Sequence, residues 1–129
     1  MTEMTDSEFF VVDSSGWIEY IGGGPRSDAY APYLDKENNL LVPTIVLYEV
    51  VKKLTTTRGK TEADRFVSHA LRLNVVALSE DLALAAVHLS IERKLAMADS
   101  MIYATAQAYQ AELVTGDNAF RGLPGVIMP

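Results

Sequence analysis

The sequence contains no cysteine. That excludes disulfides, thiolate zinc sites and cysteine nucleophiles, and it fits a reducing compartment such as the cytoplasm. Histidine is nearly as scarce. His69 and His88 are far apart and belong to no ligand or catalytic motif, so surface or partly buried helix positions are expected of them. No apolar run approaches the roughly 20 residues that a membrane helix needs. The opening "MTEMTDSE" has neither a basic region nor an apolar signal core, so no export is expected and residues 1–8 read as a flexible tail. Glycine-rich phosphate loops are missing too: neither G-x-G-x-x-G nor G-x-x-x-x-G-K-[ST] occurs, which leaves dinucleotide and P-loop nucleotide binding without support. Positive charge is in deficit, with 11 basic against 17 acidic residues and a net charge of −6. Bulk attraction to a phosphate backbone is therefore excluded, and any nucleic-acid role needs a local basic patch or bound cations. Lys52, Lys53, Arg58, Lys60 and Arg65 crowd one stretch and offer such a patch, or else a solvated helix face.

What is present suits one soluble domain over residues 1–129, with 49% hydrophobic and 22% charged residues. Short apolar runs at 9–13, 39–43, 74–78, 112–116 and 125–128 read as strands. Helical spacing fills the intervals. Ser14 or Ser15 is expected to cap the first helix, Thr44 the third and Ser79 the fifth, while Thr61 and Asp64 suggest a capping box for the fourth. Strands alternating with helices predict an α/β sandwich: a central parallel sheet of about four or five strands with helices on both faces.

Four acids stand apart from the solvated rest. Asp13 ends the first strand. Glu49 interrupts the apolar helix "TIVLYEVV". Asp99 opens the helix "ADSMIYATAQAY". Asp117 follows the strand "LVTG". All lie at strand ends or in early helix turns, and in an open parallel sheet those ends share the edge where ligands bind. Singly, each has a plain explanation: Asp13 as a helix cap, Asp99 as a complement to a helix dipole, Asp117 as a turn residue. Jointly they predict one pocket. Carboxylates crowded together cannot all ionise unless a cation intervenes. Oxygen donors without His or Cys suit Mg²⁺ or Mn²⁺.

The stretches "VVDSSGWIEY", "VPTIVLYEVVKK" and "LAMADSMIYATAQAYQAELVTGDNAFRGLPGV" together resemble the PIN domain, and more closely the ribonuclease toxins of the VapC type. The resemblance runs from about Phe10 to Val126. It implies a metal-dependent endoribonuclease, usually a homodimer, neutralised by a partner antitoxin whose C-terminal segment often places a basic residue in the acidic pocket. On the matching positions it implies Asp13, Glu49 and Asp99 as metal ligands and Asp117 as a further ligand or support. Thr115 would orient Asp117, and Ser14 would hold a ligand or a phosphate oxygen. Lys52, Lys53 and Arg58 are candidate RNA contacts, and Trp17, Tyr20, Tyr30 and Tyr33 form either helix packing or a groove for the antitoxin or a second copy. Two other readings stay open: an RNA-processing nuclease with no antitoxin, and a non-enzymatic phosphoacceptor domain. The second lacks an acid in its third strand and a lysine after Gly116.

Overall fold

The structure, a computed structural model, describes residues 9–129. The tail expected at 1–8 lies outside them. The chain order is β1 (Phe10–Val12), α1 (Ser14–Ile21), α2 (Ser27–Leu34), β2 (Leu40–Pro43), α3 (Thr44–Arg58), α4 (Lys60–Ala70), β3 (Asn74–Val76), α5 (Glu80–Arg93), α6 (Met97–Ala108), β4 (Glu112–Val114) and β5 (Val126–Ile127). Single 3-10 turns at Glu37–Asn39 and Asn118–Phe120 complete it. All strand pairs are parallel, in the order β3-β2-β1-β4-β5. Because parallel crossovers are right-handed, the climb from β1 to β3 puts α1–α4 on one face of the sheet, and the return to β4 puts α5 and α6 on the other. Among the described residues no helix is long and apolar enough to cross a membrane.

The two-sided cover explains the unbroken apolar strands. Val11, Val12, Leu40, Val42, Leu113 and Val114 are fully buried. Each such side chain contributes about 1.5–3 kcal/mol by leaving water. Outside the sheet, Trp17 of α1 meets Phe66 of α4 edge-to-face at 5.3 Å, which ties the two helices together.

Several local expectations change. The cap of α1 is Asp13, whose Oδ1 accepts from the Ser14 amide at 2.8 Å; Ser14 and Ser15 are already helical. Thr44 is likewise the first helical residue, and its hydroxyl accepts from the amide of Leu78 at 3.2 Å, tying α3 to the exit of β3. The Thr61–Asp64 capping box does not form. Gly59, at φ 97°, turns α3 directly into α4, and Asp64 pairs with Lys60 at 2.7 Å. The sharp turn needs a backbone conformation that only glycine adopts cheaply. Ser79 does cap α5, accepting from Leu82 at 3.2 Å. Strands β3 and β4 stop at Val76 and Val114, short of the expected ends.

Candidate metal centre

The sheet order reverses between β1 and β4, so the crevice beyond their C-terminal ends is the natural ligand position in this topology. Register fixes what stands there. Val12 pairs with Val114, and the Asp13 amide donates to the Val114 carbonyl at 2.9 Å. Asp13 and Thr115 are thus neighbours one step beyond the paired strands. The buried Thr115 hydroxyl donates to Asp13 Oδ2 at 2.8 Å and accepts from the Asp117 amide at 3.0 Å. Thr115, expected to orient Asp117 by a hydrogen bond, accepts one from the Asp117 amide, and it holds the Asp13 carboxylate as well. The reason is the parallel register, which puts the hydroxyl beside β1.

Asp13 is buried. Burial pushes its carboxyl above the usual range, against the hydrogen bonds from Thr115 and Ser14, and the nearby Asp117 charge adds to the rise. Glu49, half-buried on α3, accepts from the Ser14 hydroxyl at 2.8 Å, so Ser14 bridges the β1 end to α3. Asp117 is exposed and caps the following 3-10 turn through Ala119 at 2.9 Å. Asp99 sits in the first turn of α6, where the helix dipole favours the charged form. Burial, followed by the charges of Asp13, Asp117 and Glu49, overrides that preference and pushes its carboxyl up to about 6. The chain therefore brings all four acids within reach of one another's fields.

These groups fit a hydrated divalent ion. The donors are all hard carboxylate oxygens, and their mutual repulsion is the kind a cation relieves. Among the described residues no three acids or histidines stand close enough to grip one ion. Mg²⁺ commonly retains several waters and is held through one or two carboxylates.

The basic patch read from the sequence does not survive as a single surface. Lys60 pairs with Asp64 and Arg65 with Glu62. Lys52 lies over the Tyr48 ring at 5.7 Å. Lys53 and Arg58 face α1 instead, for reasons of helical phase. His69 packs against Trp17 and lies 3.5 Å from Glu37, and His88 is exposed; neither meets the acids. Tyr30 is the residue the sequence reading missed for this site. Buried on α2, it packs so closely on Gly16 that an added Cβ would lie 2.7 Å from its ring. Its hydroxyl would lie 2.8 Å from a Cβ on Gly116, which places it beneath the β4 exit. Burial raises its phenol, and the Asp13 charge contributes. Helical spacing alone gives no sign of this reach.

The chain belongs to the PIN domain family, whose model matches residues 10–126. A chain in a toxin–antitoxin complex from Klebsiella pneumoniae is similar over 92% of this chain and 96% of its own, with 28% identity and a TM-score of 0.80. VapBC2 from Rickettsia felis, bound to a promoter DNA fragment, matches over 94% and 97% with 21% identity and a TM-score of 0.73. Mycobacterium tuberculosis VapC20, a Sarcin-Ricin loop cleaving toxin, matches over 93% and 99% with 19% identity and the same score. No curated protein matches significantly in sequence.

Proposed function

We propose that this chain is a Mg²⁺- or Mn²⁺-dependent endoribonuclease and the toxin of a type II toxin–antitoxin pair. The observation that carries this reading is Asp99, a carboxyl pushed up to about 6 by burial and by three acids drawn from three other segments. Asp13, Glu49, Asp99 and Asp117 would hold the ion directly or through its waters. When bound, the metal lowers the pKa of a water and neutralises charge on the phosphoryl group. The protein's part is positional. Thr115 and the Ser14 amide pin Asp13, Ser14 fixes Glu49, and among the described residues no hydrogen-bond donor competes for the Asp99 oxygens. Asp13→Ala or Asp99→Ala should abolish RNA cleavage while circular dichroism shows the fold retained. Cleavage by either variant at the parent rate, with metal present, would overturn the reading.

The likeness to the Klebsiella chain supports an antitoxin partner. We assign that partner to the cleft of about 300 Å³ between α1, α2 and α4, lined by Trp17, Tyr20, Phe66, Glu37, Glu62 and His69 among others. There the Trp17 Nε1 is buried, with no acceptor among the described residues. The acidic rim suits a basic segment. A second copy of the chain is assigned to the apolar face of α5 and α6, where Leu84, Val87, Ile91 and Met97 stand at least half exposed. Expression with and without the neighbouring gene product distinguishes a toxin from a processing nuclease: growth arrest relieved by co-expression supports the first, and no arrest sinks it.

A further inference from the structure

Two clefts share a wall, and the first of them borders the acidic centre through Glu49. The first, of about 340 Å³, is lined by Ser14, Ser15, Ile18, Glu19, Glu49 and Lys53. The second, of about 500 Å³, is lined by Ile18, Glu19, Gly22, Gly24, Lys53, Thr57 and Arg58. Ile18, Glu19 and Lys53 belong to both, so the two form one groove between α1 and α3. Both helices start at C-terminal strand ends and run away from them, so the groove descends from the sheet edge. Residues 49, 53 and 57 repeat every four positions and share one face of α3.

The charge along this groove changes sign. At the top stands Glu49. One helical turn down, about 6 Å along the axis, stands Lys53, and at the last residue of α3 stands Arg58. Among the described residues neither cation has an acidic partner. Arg58 reaches only the Gly22 carbonyl, at 3.5 Å. Glu19 lines both clefts, and its carboxylate accepts from the backbone amide of Arg26 at 2.8 Å rather than from either cation. The walls carry no aromatic side chain on which a base could stack.

We infer that the α1–α3 groove is a backbone track for single-stranded RNA, with Lys53 and Arg58 holding the phosphates that follow the one at the metal centre. This rests on the nuclease reading above for the identity of the chain that enters. One turn of helix matches the step from one phosphate to the next, so Lys53 meets the adjacent phosphate and Arg58 one further along. The track grips charge and reads no base, so sequence choice is made elsewhere. It also answers how a chain of net charge −6 holds RNA: two unpaired cations beside the site do what bulk charge cannot.

The test uses the nuclease-dead Asp99→Asn chain and a fluorescein-labelled single-stranded RNA, with anisotropy titrations across a range of KCl. Adding Lys53→Ala or Arg58→Ala should weaken binding several-fold and reduce the slope of log Kd against log salt by about 0.7 per cation removed. Lys52→Ala, which removes the same charge outside the groove, should leave the slope unchanged. Equal slopes for all variants, an equal loss with Lys52→Ala, or no binding at all would overturn the track. Cleavage by the parent chain with Mg²⁺ is scored separately. Cleavage with unchanged slopes discards the track and keeps the nuclease; altered slopes without cleavage do the reverse.

Discussion

The centre of this protein depends on a few hydrogen bonds that hold Asp13 and Glu49 in place. Asp13 is buried, yet Thr115 and Ser14 donate to it and resist its protonation. Thr115→Val removes the donor to Asp13 and the acceptor for the Asp117 amide together. A loss of about 1–3 kcal/mol is expected from leaving buried partners unsatisfied, measured by urea unfolding, with weaker Mg²⁺ binding at neutral pH measured by calorimetry. Unchanged stability would mean that water replaces the hydroxyl. Asp99 gives a pH signature. Its folded pKa, about 6, stands above the model value of 3.8. The folded state therefore binds the proton more tightly than the unfolded one, and stability is fully present below pH 3.8 and lost as pH rises through about 6. In EDTA, Asp99→Asn should melt higher than the parent at pH 7.5, and the difference should shrink towards pH 4. A constant difference across that range would show that Asp99 does not titrate there. All four acids could be picked out from the sequence, because each breaks an apolar pattern or closes a strand. The bond from Thr115 to Asp13 could not, because it follows from the register of two strands 102 residues apart in the chain.

The elements themselves are held by close backbone approach as much as by propensity. Gly16 lets α1 lie against Tyr30 and Val12, each within 2.7 Å of where a Cβ would stand. Gly16→Ala should cost about 1–3 kcal/mol by overpacking. Thermal melting would show it, and because Tyr30 reaches beneath Gly116, RNA cleavage should fall with it. An alanine variant as stable as the parent would mean that α1 and α2 can part freely. Helix and strand existence was legible from periodicity throughout. Caps were less so. Asp13, Pro43 and Gly59 stand at the cap positions expected of Ser14, Thr44 and Thr61, since a hydroxyl near a helix start bonds whichever partner the tertiary fold presents. Ser79, free of such competition, caps as its sequence predicts.

At the scale of the whole molecule the surface is divided by chemistry. The α1–α3 groove is charged, the α1–α2–α4 cleft is apolar with a buried donor and an acidic rim, and the α5–α6 face is apolar. Ile91, 73% exposed, lies on the last of these. Ile91→Glu should convert a dimer to a monomer in sedimentation velocity while leaving the melting temperature of the monomer near the parent's. A monomeric parent, or a dimeric variant, would remove the second copy from that face. On α5, Leu82 and Ala86 are covered while Ala85 is exposed. The residues left over are the ones now assigned to a partner.

The sequence by itself determined the alternation of strands and helices, the parallel sheet and the identity of the four acids. Those properties are local: apolar runs, helical spacing, and carboxylates placed where burial would otherwise reject them. Only the tertiary structure decided which groups meet. Strand register set Thr115 against Asp13, close packing over Gly16 brought Tyr30 under the β4 exit, and helical phase separated Lys53 and Arg58 from Lys52. Each is a relation between distant segments, fixed by packing rather than by any stretch of chain alone.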